Sequence, residues 1–236
     1  MVVLSFNSSK SRTQWGGFTL QWYTQMFASR NIMAALQNTL LNTLLIAFLS
    51  ALIATIIGTA ASIAISSMKQ VPQTIVMGIT NIPMLNADIV TGISLMLAFI
   101  AFGVSLGFKT VLIAHITFNI PYVILSVMPK LKQTNRFTYE AALDLGASPL
   151  RAFFKVVFPD ILPGVLSGFL LAFTMSLDDF IITHFTRGAG INTLSTLIYS
   201  EVRRGIKPSM YALSTVIFVS VLALLLISNF APKKKQ

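Results

Sequence analysis

Between Arg30 and Lys69 the chain carries no charged side chain, and the core of that run lies near Leu40 to Ser66. A helix needs about 20 residues to cross a hydrocarbon core of about 30 Å. In lipid every backbone polar group must be paired within the segment, so a run of this kind folds as a spanning helix. The pattern then recurs along the chain. From Gln70 to Gly107 the one charge is Asp88, and "NIPMLNAD" interrupts the run. Pro83, flanked by Asn81 and Asn86, predicts a broken or kinked helix there. Further spans are expected at about Thr110 to Met128, with Pro121 inside, at about Asp160 to Phe180, and between Lys207 and Lys233 with a core from Met210 to Phe230. "MVVLSF" at the start reads as the last turns of a helix that begins upstream, and "MVVLSFNSSKSR" is not a complete signal peptide. The expectation is an all-α, polytopic membrane protein: five transmembrane spans plus the remnant of a sixth at the N-terminus.

Composition supports lipid as the solvent. Hydrophobic residues make up 55% of the chain and charged residues 10%, against about 25% charged in a soluble domain. A formal charge of +10 would suggest nucleic acid in a soluble protein. Here the basic residues sit in loops between apolar runs, with no patch interleaved with aromatics, which argues against nucleic acid. The absence of cysteine excludes disulfides, thiolate metal sites and a cysteine nucleophile.

Lysine and arginine near the ends of the spans set orientation. Lys69, Lys130, Lys132, Arg136, Arg151, Lys155 and the terminal Lys233, Lys234 and Lys235 fall on one side, nine in all, against eight on the other. Seven of those eight lie in the longer segments 6–37 and 181–208, five of them at a distance from a span, where the rule weakens. The terminal "KKK" and the cluster at 130–155 make the first side cytoplasmic.

One cytoplasmic loop is tightly punctuated. In "KLKQTNRFTYEAALDLGASPLRAFFKVVFPDILP", Thr138 or Asn135 can cap a short helix. Glu140 near its start suits the helix dipole. Gly146 fits the left-handed position that ends a helix. Ser148 then caps a second helix with Pro149 in its first turn. The reading is two short helices at a sharp angle between two spans.

"EAALDLGASPLRAFFKVVFP" resembles the EAA motif of ABC-importer permeases. Glu140, Ala141, Ala142, Gly146, Val156 and Pro159 match it in register, and Phe158 stands where the family usually has Leu. "SFNSS", "AHITFNIPYV", "LDDF" and "IYSEVRRGIKPSMYALST" are similar to the inner-membrane permease subunit of spermidine/putrescine importers, a binding-protein-dependent transport family. The likeness departs at Ser195 and Tyr211. It implies a single transmembrane permease domain over 1–236, with a coupling-helix loop at 131–159 that docks on an ATPase through Glu140, Ala141, Ala142, Gly146 and Pro159. It further implies a second permease subunit, a homodimeric ATPase subunit, an extracytoplasmic polyamine-binding protein and residence in the bacterial inner membrane. No cofactor is expected: the separate ATPase subunit binds ATP. This chain has neither a phosphate loop nor a dinucleotide fingerprint, "RGAGIN" at 187–192 being a turn, and it is not expected to be an enzyme.

Carboxylates inside a membrane cost roughly 2.5–3.5 kcal/mol each on insertion scales, so they are functional candidates. Asp88 stands alone beside a broken segment, and irregular backbone at membrane depth is tolerated where it lines a cavity. Asp178 and Asp179 close a span; helical neighbours diverge by about 100°, so they cannot share one proton as a compact dyad. The core spans hold no Lys or Arg, which favours a cationic substrate. A linear polyamine needs spaced carboxylates with apolar or aromatic walls for its methylenes. Asp88, Asp178 and Asp179, with Ser176 as a neutral hydrogen-bonding neighbour and Trp22 at the outer surface, are the candidate substrate-binding residues. The plainer alternatives stay open: Asp178 as a helix end at the water interface, Asp88 as a hydrogen-bonding group within a subunit interface, and Trp22 in an aromatic belt. A related importer for thiamine, iron or another small solute would carry the same loop. His115 is expected to make an interhelical hydrogen bond and His184 to be solvated; two histidines so far apart do not suggest a metal site.

Overall fold

The computed structural model describes residues 2–9, 14–28, 30–189, 191–204, 211–212, 214–216 and 218–219. The span expected at 210–230, like "KKK", lies largely or wholly outside them. The chain divides into two compact units, Met1–Leu40 with Leu197–Gln236, and Leu41–Thr196. Its helices are α1 (Gln21–Ala28), α2 (Arg30–Ser66), α3 (Gln70–Leu85), α4 (Asp88–Ala101), α5 (Phe108–Gln133), α6 (Arg136–Asp144), α7 (Pro149–Ala152), α8 (Phe158–Asp178), α9 (Ile181–Thr186) and α10 (Leu194–Arg204). Among the described residues, Gln37–Ser66, Phe108–Gln133 and Pro149–Asp178 are long and apolar enough to cross a membrane, and α3 with α4 makes a fourth if counted as one broken span.

In the unit Leu41–Thr196, α2, α5 and α8 share a core of Ala51, Ala54, Val123, Val127, Ile161 and Ala172. Small residues are what let them approach. On α8 the buried residues Gly164, Gly168, Ala172 and Ser176 recur every four positions, on one helical face. A Cβ at Gly164 would sit 3.0 Å from the Ser126 carbonyl oxygen, and one at Gly58 of α2 would sit 2.8 Å from the Val123 side chain. Large apolar side chains point the other way: Leu41, Leu44, Phe48 and Ile56 of α2 are exposed. Lipid tails are as apolar as leucine, so burying leucine between membrane helices gains little, and close backbone packing takes its place.

The expected interruption in the second run is a sharp break: α3 and α4 meet at 103°. Its position falls inside the expected interruption, "NIPMLNAD", at its far end. Pro83 lies inside α3, and the chain turns at Asn86 and Ala87, both in extended conformation. The ring of a proline obstructs the turn N-terminal to it, so α3 needs only to lose a hydrogen bond at Pro83 and can end a few residues later.

The loop after α5 follows its sequence signals. The Asn135 side chain accepts from the Phe137 N–H at 3.0 Å and caps α6. Gly146 takes φ +83°, with Gly146 N–H bonded to Leu143 O and Ala147 N–H to Ala142 O. These two bonds form the paired closure of a helix that turns left-handed after its last residue. Ser148 accepts from Arg151 N–H at 3.4 Å, with Pro149 first in α7. The second short helix is not a separate element, however. It runs through one π turn, Phe153–Val157, directly into α8.

In the other unit, Phe6 stacks on Phe18 with ring centroids 5.2 Å apart, and Ser5 bonds the Tyr23 hydroxyl at 2.7 Å. Trp22 is buried, and its indole N–H donates to Asn7 O at 2.6 Å. The surface position expected for Trp22 is therefore corrected: the ring anchors the turn at "SFN" against α1.

Candidate functional site

Two packing arrangements build the site. α4 lies against α9 because Gly92 lets it: a Cβ there would be 3.2 Å from Phe185 and 3.5 Å from the Ile181 carbonyl oxygen. α5 lies against α8 along the small-residue face. Ala114, Phe118 and Ile182, with Leu95, Phe99, Tyr122 and Met175 around them, join all four helices. Above this cluster opens a cavity of about 300 Å³ lined by Asp88, Phe118, Met175, Asp178, Asp179, Phe180 and Ile181.

Each carboxylate arrives there by a different local rule. Asp88 is the first residue of α4, just past the break, where a negative charge meets the positive end of the helix dipole. Asp178 is the last residue of α8 and is exposed. Asp179 leaves the helix in extended conformation. Its Oδ1 accepts from Ile182 N–H at 3.1 Å and its Oδ2 from Thr183 N–H at 2.8 Å, so it caps α9. The structure thus brings Asp88, Asp178 and Asp179 to one cavity, with an aromatic residue on either side.

Ser176 lies one turn deeper and off the cavity wall. Its hydroxyl lies 2.6 Å from His115 Nδ1 and 3.0 Å from Ser50 Oγ. His115 is buried and makes the interhelical bonds expected of it, its Nε2 lying 2.9 Å from Thr183 Oγ1 and 3.3 Å from Asp179 Oδ2. His184 departs from its solvated expectation: it is half-buried, its ring 5.2 Å from that of Phe180 and 5.5 Å from that of Phe185. Trp22 belongs to the other unit. Sequence reasoning missed Ser50, Phe118, Met175, Phe180 and Thr183. A signal existed for Thr183, since an aspartate just before a short apolar helix predicts a cap on the N–H groups that follow. Phe118 and Met175 carry no such mark.

The loop offers a second surface. Phe137, Leu145 and Leu150 are 76%, 89% and 73% exposed around α6 and α7. Glu140 and Ala141 are exposed on α6, and Pro159 opens α8, also exposed.

Comparison with known proteins places the chain among transporters. The family described as "Binding-protein-dependent transport system inner membrane component" matches residues 54–235. The putrescine transport system permease protein PotI of Escherichia coli (strain K12) is 37% identical over 227 residues, covering 94% of this chain and 80% of that protein. The spermidine/putrescine transport system permease protein PotC of the same strain is 35% identical over 235 residues, covering 100% of this chain and 88% of that protein. Among solved structures, the inward-facing MetNI methionine ABC transporter aligns with a TM-score of 0.66 at 18% identity, over 84% of this chain and 93% of that one. A bacterial ABC transporter involved in import of the acidic polysaccharide alginate aligns with a TM-score of 0.69 at 17% identity, over 95% and 84%. At such identities these two likenesses speak for the fold alone.

Proposed function

Because the chain belongs to the family of binding-protein-dependent transport system inner membrane components, we propose that it is a multi-pass permease subunit of an ATP-driven importer, forming half of the translocation pathway for the polyamines putrescine and spermidine. The names of its relatives point to that substrate class. One observation carries the reading to this chain's own residues: three carboxylates, Asp88, Asp178 and Asp179, border one cavity with Phe118, Met175 and Phe180. Carboxylates there attract ammonium groups, and the aromatic faces suit both the methylenes and the cations between them. Among the described residues, no lysine or arginine lines the cavity to oppose a cation.

The loop 131–159 supplies the ATPase contact in this reading. Exposed Phe137, Leu145 and Leu150 beside the Glu140-Ala141-Ala142 turn suit an apolar groove on a cytoplasmic partner, as a helix seated in a groove does. The assembly comprises this chain, a second permease, two copies of the ATPase and an extracytoplasmic binding protein. ATP is bound by the ATPase, and this chain needs no cofactor. Transport then requires that the cavity bind substrate more tightly when open outward than when open inward.

The test is ATP-dependent uptake of labelled putrescine and spermidine into vesicles carrying the complete complex, with wild type beside Asp178→Asn. Uptake by wild type that falls in the variant, with the complex intact, supports substrate and site together. An intact, ATP-hydrolysing complex that takes up neither polyamine moves the substrate to another solute.

A further inference from the structure

Resting on the cavity as a cation site, we infer that His115 is the positioning residue that fixes the Asp179 carboxylate for a bound cation, acting through a buried chain of hydrogen bonds. The chain joins elements far apart in sequence. Ser50 Oγ on α2 lies 3.0 Å from Ser176 Oγ on α8, and Ser176 Oγ lies 2.6 Å from His115 Nδ1 on α5. His115 Nε2 lies 2.9 Å from Thr183 Oγ1 on α9 and 3.3 Å from Asp179 Oδ2. Thr183 Oγ1 closes the chain on that same Oδ2 at 3.0 Å. Ser50, Ser176, His115 and Thr183 are 0%, 4%, 2% and 0% exposed, so water does not compete for these bonds.

Each hydroxyl owns one proton, and that gives the chain a direction. An ionised carboxylate only accepts, so the Thr183 hydroxyl donates to Asp179. Its oxygen is then free to receive the Nε2–H of His115. With the proton on Nε2, Nδ1 of the neutral ring accepts from the Ser176 hydroxyl, whose oxygen faces the Ser50 hydroxyl; Ser50 shares its one proton between Ser176 and the Ala47 carbonyl oxygen at 3.2 Å. From Ser176 onward every proton in the chain points toward Asp179. The partner on Nδ1 sets the tautomer at Nε2, as the second nitrogen of a functional histidine commonly does.

The consequence falls on the two carboxylate oxygens unequally. Oδ2 is surrounded by Thr183 N–H, the Thr183 hydroxyl and His115 Nε2. Oδ1 receives the Ile182 N–H. A carboxylate offers about four lone-pair directions, so Oδ2 is saturated and the remaining capacity of Oδ1 is left for a ligand. The carboxylate is held at one end and presents the other. A leucine at position 115 would fill a similar volume in this core but would leave Asp179 held by α9 alone, with the Ser176 and Thr183 hydroxyls short of a partner.

The experiment uses the complete transporter in proteoliposomes and labelled putrescine, comparing wild type with His115→Leu, His115→Gln, Asp179→Asn and the double variant His115→Leu with Asp179→Asn. The expected result for His115→Leu is a KM raised by about tenfold, the worth of one buried hydrogen bond, with maximal rate and complex yield near wild type. His115→Gln, whose terminal amide reaches the place of Nε2, recovers most of the affinity. His115→Leu adds nothing to Asp179→Asn, because one acts through the other. An unchanged KM in His115→Leu, a fall in maximal rate or yield alone, a Gln variant no better than Leu, or fully multiplicative effects in the double variant would each overturn the inference. Should His115→Leu fail to assemble, His115→Gln alone and with Asp179→Asn is read the same way. If Asp179→Asn itself leaves KM at the wild-type value, the cavity reading fails and takes this inference with it. If Asp179→Asn raises KM and His115→Leu does not, only the inference falls.

Discussion

Asp178 closes α8 with its side chain exposed, whereas Asp179, the next residue, leaves the helix at φ −61° and ψ 126° and turns its carboxylate onto the N–H groups of Ile182 and Thr183. One change of backbone torsion gives two adjacent aspartates different surroundings. Among the described residues the Asp178 side chain caps no helix, so Asp178→Asn is expected to leave the melting temperature of the purified complex unchanged. Asp179→Ala removes a cap, which is worth about 1 kcal/mol. It also leaves the buried Thr183 hydroxyl without its acceptor, at about 1–3 kcal/mol. A clear fall in melting temperature for Asp179→Ala alone is the outcome expected; equal falls in both variants would contradict the division.

Gly164 and Gly168 face the same helix with different clearance. A Cβ at Gly164 meets the Ser126 carbonyl oxygen at 3.0 Å, which is backbone and cannot move aside, while one at Gly168 stands 3.4 Å from its nearest neighbours. Gly164→Ala should therefore push α5 and α8 apart at a cost of about 1–3 kcal/mol, and Gly168→Ala should be better tolerated. Thermal stability of the two variants in detergent, measured side by side, decides it, and the reverse order would show that the seam yields elsewhere.

At Gly146 the backbone alone is at stake. Its φ is +83° and, among the described residues, nothing lies within 4 Å of where a Cβ would be. Gly146→Val therefore strains the turn between α6 and α7, by about 1–2 kcal/mol for the left-handed conformation, without touching the core. The expected phenotype is weakened ATPase attachment with the chain still inserted, read by co-purification of the ATPase. Full co-purification would mean that this turn does not set the docking geometry.

Asn119 offers a test of opposite sign. It is fully buried on α5, and among the described residues neither atom of its amide has a hydrogen-bond partner. Replacing such a group by an apolar one of similar shape is neutral or stabilising, so Asn119→Leu is expected to hold or raise the melting temperature of the complex. A fall of several degrees would show that the amide is satisfied in the assembled transporter, by water or by the partner permease.

The elements with local causes were legible in the sequence. Asn135, Gly146, Ser148 and Pro149 each act on backbone groups within a few residues, and their spacing marked the loop before any fold was known. The uncharged runs marked the spans for the same reason. Asp88, Asp178 and Asp179 stood out in the sequence as carboxylates within or at the end of apolar runs. What could not be read was who meets whom. His115 touches Ser50, Ser176 and Thr183, residues brought together only by the packing of four helices, and a single histidine in a span carries no sign of its partners. The burial of Trp22 was hidden likewise, because it depends on the turn at Asn7. The break was legible as the segment "NIPMLNAD"; the turn falls at Asn86 and Ala87, where the backbone past Pro83 next becomes free.

Pro149 and Asp178 are the two ends of one helical run, 30 residues long with only a π turn inside it. At 1.5 Å per residue that is a rod of about 45 Å. Mechanically it is a lever whose handle lies in the loop after α5 and whose tip carries a carboxylate. Pivoting such a rod by about 5° about its loop end sweeps the tip by roughly 4 Å, more than the length of a hydrogen bond. A small tilt at the loop end is therefore magnified into a displacement of Asp178, and of Asp179 directly after it, so that their distance from Asp88 at the start of α4 becomes a matter of angle.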